Sequence, residues 1–169
     1  MTAAGPFRLS ETAHPMVGAA FAYWRGIRPD DAALPGRQHL DPLHIPHLLP
    51  HIWLVDVLRD VPNGAPTFRY RVVGTAVDRG MGQTLTGKRM DEVIAGFNDD
   101  QRLRGPYLSA AEAAMPSYRK GAPLFGHNQQ YRELERLLMP LARDGRIVDM
   151  LFCITLFYGA DGRLLGSKL

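Results

Sequence analysis

Cysteine is nearly missing from the chain: Cys153 stands alone among 169 residues, which excludes an intrachain disulfide. It sits in an apolar stretch, where a buried, unreactive thiol is the ordinary state. No apolar run approaches the roughly 18 residues needed to cross a bilayer, and the N-terminus lacks a signal-peptide core. The expectation is a reducing cytoplasm and no membrane. Strong net charge is missing too: the balance is +3 with the basic residues spread along the chain, whereas a nucleic-acid partner needs clustered cations. What is present suits one folded domain, with 46% hydrophobic and 22% charged residues in a length able to bury a core.

The chain is organised around Ile52 to Thr75, which reads IWLVDVL, a turn from Arg59 to Pro66, then FRYRVVG. Two runs rich in β-branched and aromatic residues, separated by Pro, Asn and Gly, predict a β-hairpin. A second hairpin is predicted at YRELERLLMPL and IVDMLFCITLFY, joined through Asp144-Gly145. The run Ile147 to Tyr158 is apolar on both faces, so it should lie centrally in a sheet covered on both sides.

Helical spacing recurs elsewhere. From Pro15 the residues Val17, Ala20, Phe21, Trp24 and Ile27 form one apolar stripe, ended by Gly26 and Pro29 with Arg25 and Arg28 in the last turn. That stripe must cover either the chain's own sheet or a second subunit. Residues 1 to 11 are expected to be loose. Asp41-Pro42 reads as a cap and first turn of a short helix over Leu43 to Leu49. Later helices are expected at Ala76 to Met81, at Met90 to Ile94, and from a cap at Asn98 to Asp100 to about Ala114, with Pro106 near its start or at a kink. An extended segment follows from Pro116 to Arg119, with a turn at Gly121 and a further extended piece from Leu124 to His127.

Two chemical motifs fail on inspection. Asp41, His44, His47 and His51 have spacings that zinc could use, but Pro46 and Pro50 disturb the helix that would align them, so no metal is expected. Gly82, Gly87 and Lys88 mimic a phosphate-binding loop, yet Arg89 stands where Ser or Thr is required.

Three segments together carry a family resemblance: DPLHIPHLLPHIWLVDV (Asp41 to Val57), FRYRVVGTAVDRGMGQTLTGKRMDEV (Phe68 to Val93) and ERLLMPLARDGRIVDML (Glu135 to Leu151). With the preceding Tyr23-Trp24-Arg25-Gly26, they resemble the PAS-like family widespread in alphaproteobacteria and called PAS_5, over roughly residues 15 to 158. The resemblance implies an α+β fold: a five-stranded antiparallel sheet with short helices on one face enclosing a pocket, and an N-terminal lead-in helix. It divides the chain into a flexible N-terminus (1–14), lead-in helix and linker (15–40), PAS-like domain (41–158) and C-terminal tail (159–169). In a bacterial protein the terminal Ser167-Lys168-Leu169 is no peroxisomal address.

The implied role is a non-catalytic sensory or protein-interaction module. With about ten residues left after the core, output is expected in trans, through a homodimer or another signalling protein, and Val17, Phe21 and Trp24 are the interface candidates. A small-molecule ligand is expected as an option, alongside a filled core that serves only for docking. Flavin photochemistry is disfavoured, because Cys153 lies in a strand and no Asn-Cys-Arg-Phe motif occurs. Haem is disfavoured because Thr75 to Arg119 contains no histidine. Strand alternation groups Phe68, Tyr70 and Val72 as the better cavity wall; Arg71, were it to point inward, would favour an anionic ligand. On the last strand either Met150, Phe152 and Ile154 or Leu151, Cys153 and Thr155 face the cavity, and the first set is taken as the candidate. The alternative function is a cone-shaped hydratase or isomerase using His127 with Asp149 or Glu135 as an acid-base pair.

Overall fold

Strand β1 (Ile52–Leu58) and strand β2 (Thr67–Val73) form the first hairpin, with Asn63 in the turn at φ 60°. Strands β3 (Ser117–Gly121), β4 (Glu133–Leu141) and β5 (Met150–Tyr158) complete one antiparallel sheet in the order β2-β1-β5-β4-β3. The computed structural model describes residues 6–60, 62–95, 100–124 and 130–166. Asn98 and Asp99 of the expected cap, and the expected extended piece beyond Leu124, lie outside them. β5 is the middle strand, as its two apolar faces demand. It starts at Met150 rather than Ile147, because the Asp144 carboxylate accepts hydrogen bonds from the amides of Arg146 and Ile147 and holds both in the turn.

Helix α1 (Pro15–Gly26) is the lead-in helix, with Pro15 in its first turn and the His14 ring accepting a bond from the Met16 amide. Short 3₁₀ turns follow at Pro42–His44, where the Asp41 side chain caps Leu43, and at Pro46–His51. Helices α2 (Thr75–Met81) and α3 (Met90–Ile94) match the expected positions. Helix α4 (Asp100–Ala113) runs through Pro106 and ends where Ala114 turns left-handed at φ 53°.

Helices cover both faces of the sheet. On the inner face α2, α3 and α4 pack against Trp53, Val55, Phe68, Tyr70, Leu138 and Cys153. On the outer face Val17, Ala20 and Trp24 of α1 pack against Leu54, Leu137, Met139, Phe152 and Ile154. Of the N-terminal residues expected to be loose, Phe7 and Leu9 pack on the same layer, and Phe7 sets its edge against Phe21 with ring centroids 5.5 Å apart. After β5 the chain folds back, and the Leu165 amide donates to the Phe157 carbonyl. Among the described residues no helix is long and apolar enough to cross a membrane. Nor does any group of His, Cys, Asp and Glu among them suit a metal ion.

Candidate functional site

Alternation along three central strands decides what the inner layer encloses. Trp53 of β1, Leu134 and Arg136 of β4, and Thr155 and Phe157 of β5 all point toward the helices. There they meet Met81 from α2, Met90 and Ile94 from α3, and Leu103 and Tyr107 from α4, around a cavity of about 50 Å³. A single water needs about 10–15 Å³ counted in this way, so the space admits a few waters or a very small organic molecule, far below a drug-sized pocket.

Its walls are apolar and aromatic, with one charge. Trp53 lies 5.7 Å from Tyr70 and 5.8 Å from Tyr107 between ring centroids, and Phe68 backs Tyr107 at 5.7 Å. Arg136 is only 9% exposed; its guanidinium lies 5.0 Å from the Tyr107 ring centroid and donates from Nη1 to the Tyr107 hydroxyl at 3.3 Å. The Arg136 Nε–H is buried without a hydrogen-bond partner, and among the described residues no carboxylate reaches the side chain. Directly across the β4–β5 pair stands Thr155, whose hydroxyl accepts a bond from Trp53 Nε1 at 3.0 Å. Across β3–β4 stands Arg119, whose guanidinium donates to the Ala122 carbonyl. Burial pushes the Tyr107 phenol up to about 12, partly opposed by Arg136, so it stays protonated at neutral pH. Burial likewise pushes the Cys153 thiol up, which suits an inert group.

The neighbouring residue on β4 has the opposite assignment. Glu135 points to the outer face, fully buried, and accepts bonds from the His14 amide at 2.8 Å, the Tyr118 hydroxyl at 3.1 Å and the Tyr158 hydroxyl at 2.7 Å. Lys120 Nζ lies 3.8 Å away. Glu135 is thus a latch between the sheet and the residue that caps α1.

Several residues expected at the site lie elsewhere. Tyr70 lines the cavity and Phe68 supports its wall, but Val72 is 53% exposed on the outer side. The reason is a bulge: Leu54 pairs with Val72 and Val55 with Tyr70, so Arg71 is the extra residue and the alternation reverses after it. Arg71 is salt-bridged to Asp56 at 3.4 Å, beside the stronger Arg69–Asp56 pair at 2.8 Å, and does not enter the cavity. Met150, Phe152 and Ile154 face α1; their alternates Leu151, Cys153 and Thr155 belong to the inner face, and Thr155 touches the cavity.

The three interface candidates on α1 lie on the side that meets the sheet, Phe21 only half-buried. Val17 and Trp24 are buried against the chain's own sheet, with Trp24 Nε1 donating to the Pro140 carbonyl at 2.9 Å, and Phe21 stacks on Trp24 at 5.9 Å. Of the acid-base alternative, Glu135 faces away from the cavity, Asp149 sits in the β4–β5 turn holding the Arg143 amide, and His127 lies outside the described residues. Among the described lining residues there is neither a carboxylate nor an imidazole. The phosphate-loop mimic is instead an edge segment: Gly87 and Lys88 hydrogen-bond to the Tyr70 backbone. Arg136, Tyr107 and Trp53 were not singled out from the sequence as members of the site, and Thr155 stood only in the alternate set on the last strand. The one available signal was a charged pair, Glu135-Arg136, inside an apolar strand.

A five-stranded antiparallel sheet whose inner face and short helices enclose a small cavity is the architecture of a PAS-like domain. The family model PAS_5, described as a PAS domain, matches residues 12–154. The chain belongs to that family. Comparison with curated proteins and with solved structures gave no match.

Proposed function

We propose that the chain is a non-catalytic sensory or protein-interaction module whose cavity holds a small molecule and whose state is read in trans by a partner, either a second copy or another signalling protein. The observation that carries this reading is the Arg136 guanidinium, buried at the cavity with its Nε–H unpartnered. A core built only for stability would be better served by a hydrocarbon there, since an uncompensated buried charge is costly. β4 supports the route outward. Arg136 touches the cavity while the adjacent Glu135 holds the His14 amide at the start of α1, so an occupant that moves Arg136 acts on the strand that anchors the lead-in helix.

The competing reading is a filled core that serves only for docking. Methionine methyl groups separate the two, because Met81 and Met90 line the cavity whereas Met139 and Met150 lie on the outer face. With methyl-labelled methionine, the proposal predicts that at least one of propionate, propionamide, propanol or imidazole shifts the Met81 and Met90 signals and leaves Met139 and Met150 in place. No shift at either cavity methionine with any of the four would favour the docking module.

A further inference from the structure

We infer that the occupant of the inner cavity is a small monocarboxylate, held by the Arg136 guanidinium with its alkyl end among the cavity's apolar side chains. This rests on the ligand reading above and names the chemistry of that site. Three groups, in or directly opposite the Arg136 side chain, have hydrogen-bonding capacity to offer, besides the Tyr70 phenol that also lines the cavity. The Arg136 Nε–H has no partner. The Tyr107 hydroxyl accepts from Arg136, which leaves its own O–H to donate. The Thr155 hydroxyl accepts from Trp53 Nε1 and stands directly opposite Arg136 in the sheet, so its O–H is available in the same way. All three would donate to an oxygen-rich, negatively charged group, and no acidic side chain lines the cavity among the described residues.

The rest of the lining limits the class. A phosphate dianion would require more cationic and amide donors than one arginine and three hydroxyls provide, and its remaining oxygens would face Met81, Met90, Ile94 and Leu103 without partners. A neutral amide or alcohol would leave the guanidinium charge uncompensated. Space sets the length: about 50 Å³ is room for roughly four water-sized groups, which suits an acid of about two or three carbons. Arg119, directly across from Arg136 on β3, adds positive potential on that side of the sheet.

The test is titration of the full chain with carbon-13-labelled propionate, with propionamide, propanol and chloride as matched controls and methionine methyl shifts as a second readout. Propionate should bind at least about tenfold more tightly than propionamide, a margin expected from charge-assisted pairing. Arg136→Met should lose that binding by about tenfold or more while keeping the wild-type circular dichroism, Arg136→Lys should retain part of it, and Val72→Ala on the outer side should leave it unchanged. Equal affinity for acid and amide, or full binding by Arg136→Met, would overturn the assignment. Binding of the neutral compounds alone would reject the acid while leaving the ligand reading intact. Absence of binding together with still Met81 and Met90 signals would reject both.

Discussion

Arg136 carries an expected signature of function at the cost of stability. Replacing it with Met, an unbranched side chain that can fill the same space, removes a guanidinium that is buried with no carboxylate beside it among the described residues. The ligand-free Arg136→Met protein should be more stable by about 1–3 kcal/mol in urea unfolding at neutral pH, as buried charges replaced by hydrocarbons often are. A loss of stability would mean that the arginine is structural. The buried phenols set a pH limit. Burial pushes Tyr107 and Tyr131 up to about 12, and burial with the Glu135 hydrogen bond does the same for Tyr118. An unfolded tyrosine releases its proton near pH 10, so their contribution is complete below that pH and falls as the pH rises from about 10 to about 12. Tyr107, fully buried, accounts for on the order of 2 kcal/mol of that loss. Thermal melts across the window, with Tyr107→Phe for comparison, should show the wild type falling more steeply. At this scale the sequence was legible only in part. Glu135 and Arg136 are consecutive charges in an apolar strand, but period two states only that they face opposite sides, without stating which side holds a cavity.

Among the elements, α2 contains a glycine whose role runs against helix propensity. In an exposed helix Gly→Ala gains about 1 kcal/mol. Gly80, however, is buried, and a methyl group there would overlap the Phe157 ring of β5. Packing should win, and Gly80→Ala should cost about 1–3 kcal/mol, read as a lower urea midpoint at unchanged slope. An unchanged or raised midpoint would show that α2 can shift away from the sheet. Element positions were largely readable, because caps, prolines and apolar spacing are local signals: α1 begins at Pro15, and α3 spans Met90–Ile94 as expected. The β2 face was misread after Tyr70, since a bulge depends on pairing with β1 and leaves no mark in FRYRVV. The choice between Met150, Phe152, Ile154 and their alternates was similarly closed to the sequence. A central strand covered on both faces is apolar everywhere, and only the packing of α1 against one side distinguishes them.

For the whole molecule, the five-stranded order and the family were legible because long apolar strands and three extended motifs combine into one pattern. The cover of the outer face was left open between the chain itself and a partner, and α1 with its aromatic residues closes it from within. With that closure, the proposed function makes cavity and lead-in helix one device, joined by consecutive residues of β4 that face opposite layers. Amide hydrogen exchange on the full chain, with and without saturating propionate, tests it most directly. Exchange across α1 should slow severalfold when propionate is present, with no such change in Arg136→Met. If propionate shifts the Met81 and Met90 signals while exchange in α1 stays the same, the cavity binds but the helix does not read it, and the claim fails.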